Sequence, residues 1–197
     1  MRKLAALSVF LGACIPLSFS GSNVPTPHTF MLTEADVAAA ADVSCVQGWV
    51  TSDPQANRNE ALRRLKALDI PVIERPGVRF TTALRGQLRV GRGFSEKPVW
   101  DQAVILTHEL YHYCQRGKLG DNAFDKSYAH SAGRWGIETP AYGQSIATLV
   151  AQGANEDAIG AYIEDRLVSM RDFYWLHDID PQQYEEETRK VWESWSQ

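Results

Sequence analysis

Hydrophobic positions along this chain repeat at helical spacing, switch to alternation and then return to helical spacing, so helices flank one short β region. Leu32 and Val37 bracket Thr33 and Asp36 as a hydrophobic staple brackets a capping box, which predicts a short helix running to about Asp42. Asp53-Pro54 is a second start signal, an N-cap followed by proline at the first helical position, and Ala61, Leu62, Leu65 and Leu68 then recur at helical intervals. From Ile70 the period becomes two. Val78, Phe80 and Thr82 alternate with Arg79, Thr81 and Ala83, and beyond Gly86 Leu88 and Val90 alternate with Gln87 and Arg89. A two-residue turn at Arg85-Gly86 would oppose Thr82 to Arg89. A three-residue loop of Leu84, Arg85 and Gly86 opposes Phe80 to Val90 and Thr82 to Leu88; it keeps one face apolar and is the expected register. Arg79 and Arg89 lie on the other face, with Arg85 and Arg92 near its ends, and read as a solvated surface rather than the wall of a cleft.

Pro98 opens a long helix to about Arg116 that is apolar nearly all round, the pattern of a central buried element. Three more helical stretches follow: about 138–152, about 156–176, and a last one begun by Asp180-Pro181. In the last, Glu185, Glu186 and Glu187 precede Arg189 and Lys190, the order the helix macrodipole favours, and Trp192 and Trp195 read as packing residues. The expected class is therefore α+β: a small antiparallel sheet packed on a central helix, with additional helices after it.

Residues 1–20, MRKLAALSVFLGACIPLSFS, combine Arg2 and Lys3 with an apolar stretch from Leu4 to Ile15 and a tail of small residues, the layout of a signal peptide. Leu11-Gly12-Ala13-Cys14 offers a competing reading as a lipobox, with lipidation at Cys14. The expected location is outside the cytoplasm, periplasmic or secreted, freely or through a lipid anchor. Residues 21–31 form an exposed leader and residues 32–197 a single domain; no stretch reaches the roughly 18 apolar residues of a membrane-spanning helix. Processing at either site takes Cys14 out of the pool of free thiols and leaves Cys45 and Cys114, which can close one bridge in an oxidising compartment. A formal charge of -4 over 197 residues argues against a nucleic-acid partner, which needs a concentrated basic surface.

The chemistry concentrates in the central helix, where VILTHELYHYCQ contains His108-Glu109-Leu110-Tyr111-His112. Histidines four apart lie one helical turn above one another, so both imidazoles can reach one metal ion, while Glu109 is rotated by about 100° and can meet a metal-activated water without being a ligand. An apolar helix buries such groups only where something compensates them. Cys114 is rotated well away from His112 and is not expected to join them.

This His-Glu-x-x-His stretch resembles the zincin metallopeptidases. The metzincin branch would need glycine at 115 and histidine or aspartate at 118, where this chain has Gln115 and Lys118. The gluzincin pattern, a glutamate on a following helix, is the better match: IETPAY supplies Glu138, 26 residues after His112, at a helix start that Pro140 must share. His130, in the loop SYAHSAGRWG, is the rival third ligand, and Asp121 and Asp125 are weaker ones. His28 and His177 are given no role. The resemblance covers roughly residues 54–152 and implies a zincin-like fold, one zinc ion held by His108, His112 and Glu138, Glu109 as general base, and a peptide or protein substrate. Tyr142, one turn after Glu138, is the candidate oxyanion donor or ligand-orienting group, with Tyr128 and His130 also open. The resemblance further implies that an edge strand, expected at 87–91, aligns the substrate. The alternative is a non-catalytic exported metal-binding or interaction domain that keeps the same fold.

Overall fold

The computed structural model describes residues 48–76, 82–173 and 181–195. The signal segment with Cys14, the leader with His28, the helix expected up to Asp42, Cys45, the strand positions Val78 and Phe80, and His177 lie outside the described residues. Asp53 caps helix α1 (Pro54–Ala67) through a bond from Gln55 N to its carboxylate at 2.9 Å, with Pro54 in the first turn, as the start signal requires. Ala61 and Leu65 form its buried stripe against the central helix α2 (Val99–Leu119), which Gly120 ends at φ 77°.

Between these helices lie strands β1 (Val72–Arg75), β2 (Thr82–Leu84) and β3 (Gln87–Gly91), in the spatial order β1-β3-β2. The sheet is mixed, not antiparallel: β1 runs parallel to β3, pairing Val72 with Leu88, and β2 runs antiparallel to it. Residues 87–91 are therefore the central strand rather than the edge. The hairpin also takes the register that had been set aside, with a two-residue turn at Arg85-Gly86, Thr82 opposite Arg89 and Ala83 opposite Leu88. Tertiary contacts account for this. Ala83 packs on the core beside the fully buried Leu88, the Tyr113 hydroxyl of α2 donates to Leu84 O at 3.0 Å, and Gly86 adopts φ 69° without steric cost.

Two short-range expectations fail after α2. The segment 121–137 is not a loop: it holds helix α3 (Asp121–Tyr128) and the first turns of α4 (Ser131–Ala151). Gly133 permits the close crossing of these helices, since a Cβ there would lie 2.3 Å from Ser127 O. Pro140 is consequently deep inside α4 rather than in its first turn. A mid-helix proline removes one backbone donor and crowds the preceding turn. Two side chains from other helices bond to carbonyls there: Gln115 Nε2 donates to Ile137 O at 2.9 Å and Trp192 Nε1 to Thr139 O at 2.8 Å.

Helices α5 (Glu156–Phe173) and α6 (Pro181–Trp195) complete the described chain. One core cluster joins α1, the sheet and α2 through Leu65, Leu88, Val90, Leu106 and Leu110; a second joins α4, α5 and α6 through Ile146, Ile163, Met170 and Trp192. Each fully buried Leu or Ile contributes about 1.5–3 kcal/mol. The α2–α4 contact lies between the two clusters, and the side chains of His108, His112 and Glu138 sit in it. Among the described residues no helix is long and apolar enough to cross a membrane.

Candidate metal centre

His108 and His112 project from successive turns of α2 toward α4, with ring centroids 4.7 Å apart and planes near perpendicular at 87°. Their Nε2 atoms are 3.0 Å apart. Glu138, on α4, brings its Oε2 to 3.3 Å from His108 Nε2 and 3.5 Å from His112 Nε2. That carboxylate side chain is 2% exposed, and among the described residues its Oε2 accepts no hydrogen bond. Three donor atoms with converging lone pairs, buried together, could hold a metal ion, and the orphaned carboxylate oxygen is the atom such an ion would satisfy.

The remaining polar atoms of all three side chains are held from behind. The Gln115 amide donates through Nε2 to Ile137 O, so its Oε1 faces His112 Nδ1 at 2.9 Å as an acceptor and leaves His112 Nε2 for the ion. The Ser145 hydroxyl donates to Ala141 O, and its oxygen lies 3.4 Å from His108 Nδ1. Tyr128, at the end of α3, donates its hydroxyl to Glu138 Oε1 at 2.6 Å. Comparison with protein-family models, with curated proteins and with solved structures finds no match. The geometry of the centre therefore carries the functional argument.

Electrostatics follow from the packing. Burial alone would push the His112 imidazole down, but the Glu138 carboxylate beside it holds it up at about 9 in the metal-free protein. Burial would raise Glu138, yet His112 and His108 together hold it well below the usual carboxylate range. Glu109 is the opposite case: burial drives it up, the two histidines offset this only in part, and the Glu138 charge adds to the rise. Glu109 is not among the grouped donor atoms; the Ala83 N–H of edge strand β2 hydrogen-bonds its carboxylate.

The structure thus brings together His108, His112 and Glu138, with Glu109 adjoining them in the next position of α2. Tyr142 packs its ring 4.5 Å from that of His108. His130, the rival third ligand, is exposed at the corner before α4 and is not in the cluster, because the segment around it is helical rather than a loop. Asp121 and Asp125 pair instead with Arg85 and Arg116. Cys114 is disulfide-bonded, and Cys45, its expected partner, lies outside the described residues. Tyr128, which the sequence leaves open beside Tyr142 as an oxyanion donor or ligand-orienting group, meets Glu138, whereas Gln115 and Ser145 are supports that the sequence does not predict. Gln115 carried one usable signal, an amide three residues after His112 in an apolar helix; Ser145 carried none.

Proposed function

We propose that this protein is a zinc-dependent peptidase of gluzincin type, exported from the cytoplasm, with His108, His112 and Glu138 as ligands. The observation that carries the reading is the closure of the His-Glu-x-x-His pair by Glu138 while a second carboxylate, Glu109, stands beside the cluster without joining it. Tetrahedral zinc with bonds of about 2.0–2.1 Å places its donor atoms roughly 3.3 Å apart, and the three separations here are 3.0, 3.3 and 3.5 Å. Three protein ligands are the number found in catalytic zinc sites, which leave a position open. Zinc bound there supplies Lewis-acid polarisation of a carbonyl and acidifies water toward a pKa of about 7. Glu109 accepts the proton of the attacking water at its carboxylate and passes it to the leaving amine; a buried carboxylate with a raised pKa suits both steps. Gln115 and Tyr128 keep His112 and Glu138 oriented throughout. Tyr142, beside His108, is the oxyanion-donor candidate. The signal-like segment and the disulfide at Cys114 support an oxidising location.

A second reading has its own support. The burial of Glu109 and its bond from Ala83 N–H suit a non-catalytic metal-binding domain in which that carboxylate anchors the edge strand. Glu109→Gln separates the two. Under the peptidase reading, zinc stoichiometry stays at the parent's and hydrolysis of a casein or mixed-peptide substrate disappears. Hydrolysis at the parent rate removes Glu109 as the base, and an inactive but zinc-loaded parent selects the second reading.

A further inference from the structure

Helix α5 carries a largely buried cation, Arg166, against a tyrosine that packs on His108 of the candidate metal centre. The side chain of Arg166 is only 15% exposed and lies between two tyrosines, its Cζ 5.6 Å from the Tyr142 ring centroid and 5.4 Å from that of Tyr162. Both tyrosines lead to the same metal ligand. The Tyr142 ring packs 4.5 Å from that of His108. Tyr162 interacts with Ser145, whose oxygen lies 3.4 Å from His108 Nδ1.

Asp165 takes one terminal nitrogen of the guanidinium, while the buried Nε has no hydrogen-bond partner among the described residues. A guanidinium has five N–H donors in a planar fork, so one neighbouring carboxylate leaves most of its capacity unspent. Arg116 also has an unused Nε, but two carboxylates, Asp121 and Asp125, already meet its charge. Arg166 differs in that Asp165 is the one carboxylate it meets among the described residues, and in sharing ring contacts with a residue that packs on His108. A cation buried there, flanked by two phenols, matches an anionic group on whatever reaches the metal.

We propose that Arg166, supported by Tyr142 and Tyr162, is the recognition site for a carboxylate of the peptide substrate and so places the reacting bond at the metal centre. This rests on the peptidase reading above. The carboxylate is either the peptide's C-terminus or an acidic side chain.

Three probes distinguish these sources: N-acetyl-trialanine as the free acid, its C-terminal amide, and the amide of N-acetyl-Ala-Glu-Ala. Binding of each to the zinc-loaded Glu109→Gln protein is measured by calorimetry. At least one carboxylate peptide should bind about 10- to 100-fold tighter than the neutral amide, the range for hydrogen bonds to a charged group. Tighter binding of the free acid alone assigns the C-terminus; tighter binding of the glutamyl amide alone assigns an acidic side chain.

Adding Arg166→Gln should bring all three affinities to within about threefold of one another. Arg166→Lys, which keeps the charge and stem but not the fork, should reduce the preference about tenfold, and it serves as the test if the glutamine variant does not fold. A carboxylate preference that survives both substitutions, or no preference with Arg166 intact, overturns the proposal. Hydrolysis by the parent with no arginine-dependent preference counts against this proposal alone. Arginine-dependent binding without hydrolysis of any peptide counts against the peptidase reading alone.

Discussion

Helices α2 and α4 are each 21 residues long and meet at the candidate metal centre, but they position their donor side chains by different means. α2 carries His108, Glu109 and His112 within little more than one turn of continuous helix, so their relative placement follows from the 3.6-residue repeat. α4 contributes one ligand, two residues ahead of a proline. The surroundings of that ligand come from three other helices: the Tyr128 hydroxyl on Glu138 itself, and the Gln115 and Trp192 side chains on the carbonyls flanking it. The contrast teaches that a pair set by local periodicity depends mainly on its own helix, whereas a ligand set by neighbours is only as well placed as they are.

The largest test of that contrast removes a ligand of the local pair. His112→Ala should reduce bound metal to background and leave the Glu138 carboxylate buried without its main counter-charge. A loss of about 3–5 kcal/mol is expected in the metal-free protein, measured by urea unfolding. Full metal retention would show that the ion sits elsewhere.

Next in size is Gly133→Ala, which forces a methyl group against Ser127 O. It should cost about 1–3 kcal/mol by thermal unfolding and also weaken metal binding, because Tyr128 ends the helix that must move. An unchanged melting temperature would mean that the crossing of α3 and α4 relaxes freely.

Tyr128→Phe isolates the support of Glu138 with little change in volume. Metal affinity should fall about 10- to 100-fold, read by competition with a chelator, with the melting temperature of the metal-free protein nearly unchanged. Parent affinity in this variant would make the contrast between the two helices much weaker.

The smallest effect is a proton count. With His112 at about 9 and Glu138 held well below its ordinary value, the metal-free centre at pH 7.5 carries a protonated imidazole and an ionised carboxylate. Metal uptake should then release about one proton per ion, measured by calorimetry in buffers of different ionisation enthalpy. The sign for stability follows from the same values. The raised His112 contributes to the metal-free fold fully below its unfolded value near 6.5, and that contribution is lost as pH rises through about 9. The depressed Glu138 contributes above its ordinary value and loses that contribution as pH falls through its lowered one. A melting temperature of the metal-free protein that holds level from pH 7 to 10 would remove the pairing.

Legibility in the sequence divides along the same line. The start of α1 at Asp53-Pro54 and the helical character of the segment after Pro98 could be read directly, since capping and apolar periodicity act over a few residues. Spacing and resemblance point to His108, His112 and Glu138 as a cluster, but Pro140 predicts a helix start beside Glu138, and the helix begins at Ser131. Proline stands inside this helix all the same, and side chains remote in sequence bond to the nearby Ile137 and Thr139 carbonyls. The hairpin register was misjudged for a related reason: alternation alone favoured Thr82 opposite Leu88, while Tyr113 and the core contact of Ala83 hold β2 one residue away. Helix α3 escaped notice because only Phe124 and Ser127 of its eight residues are buried, too few to print a period.

What the sequence determined by itself is the chemistry of α2: two imidazoles one turn apart and a carboxylate beside them, fixed by backbone geometry whatever the helix packs against. Only the tertiary structure decided which residue completes the set, which strand forms the edge beside Glu109, and which nitrogen of His112 is left to bind. Those outcomes depend on groups such as Tyr128, Ala83 and Gln115, each brought into place by a helix crossing or strand pairing with residues distant along the chain. Local repeats specify the face a residue occupies; long-range packing specifies what that face meets.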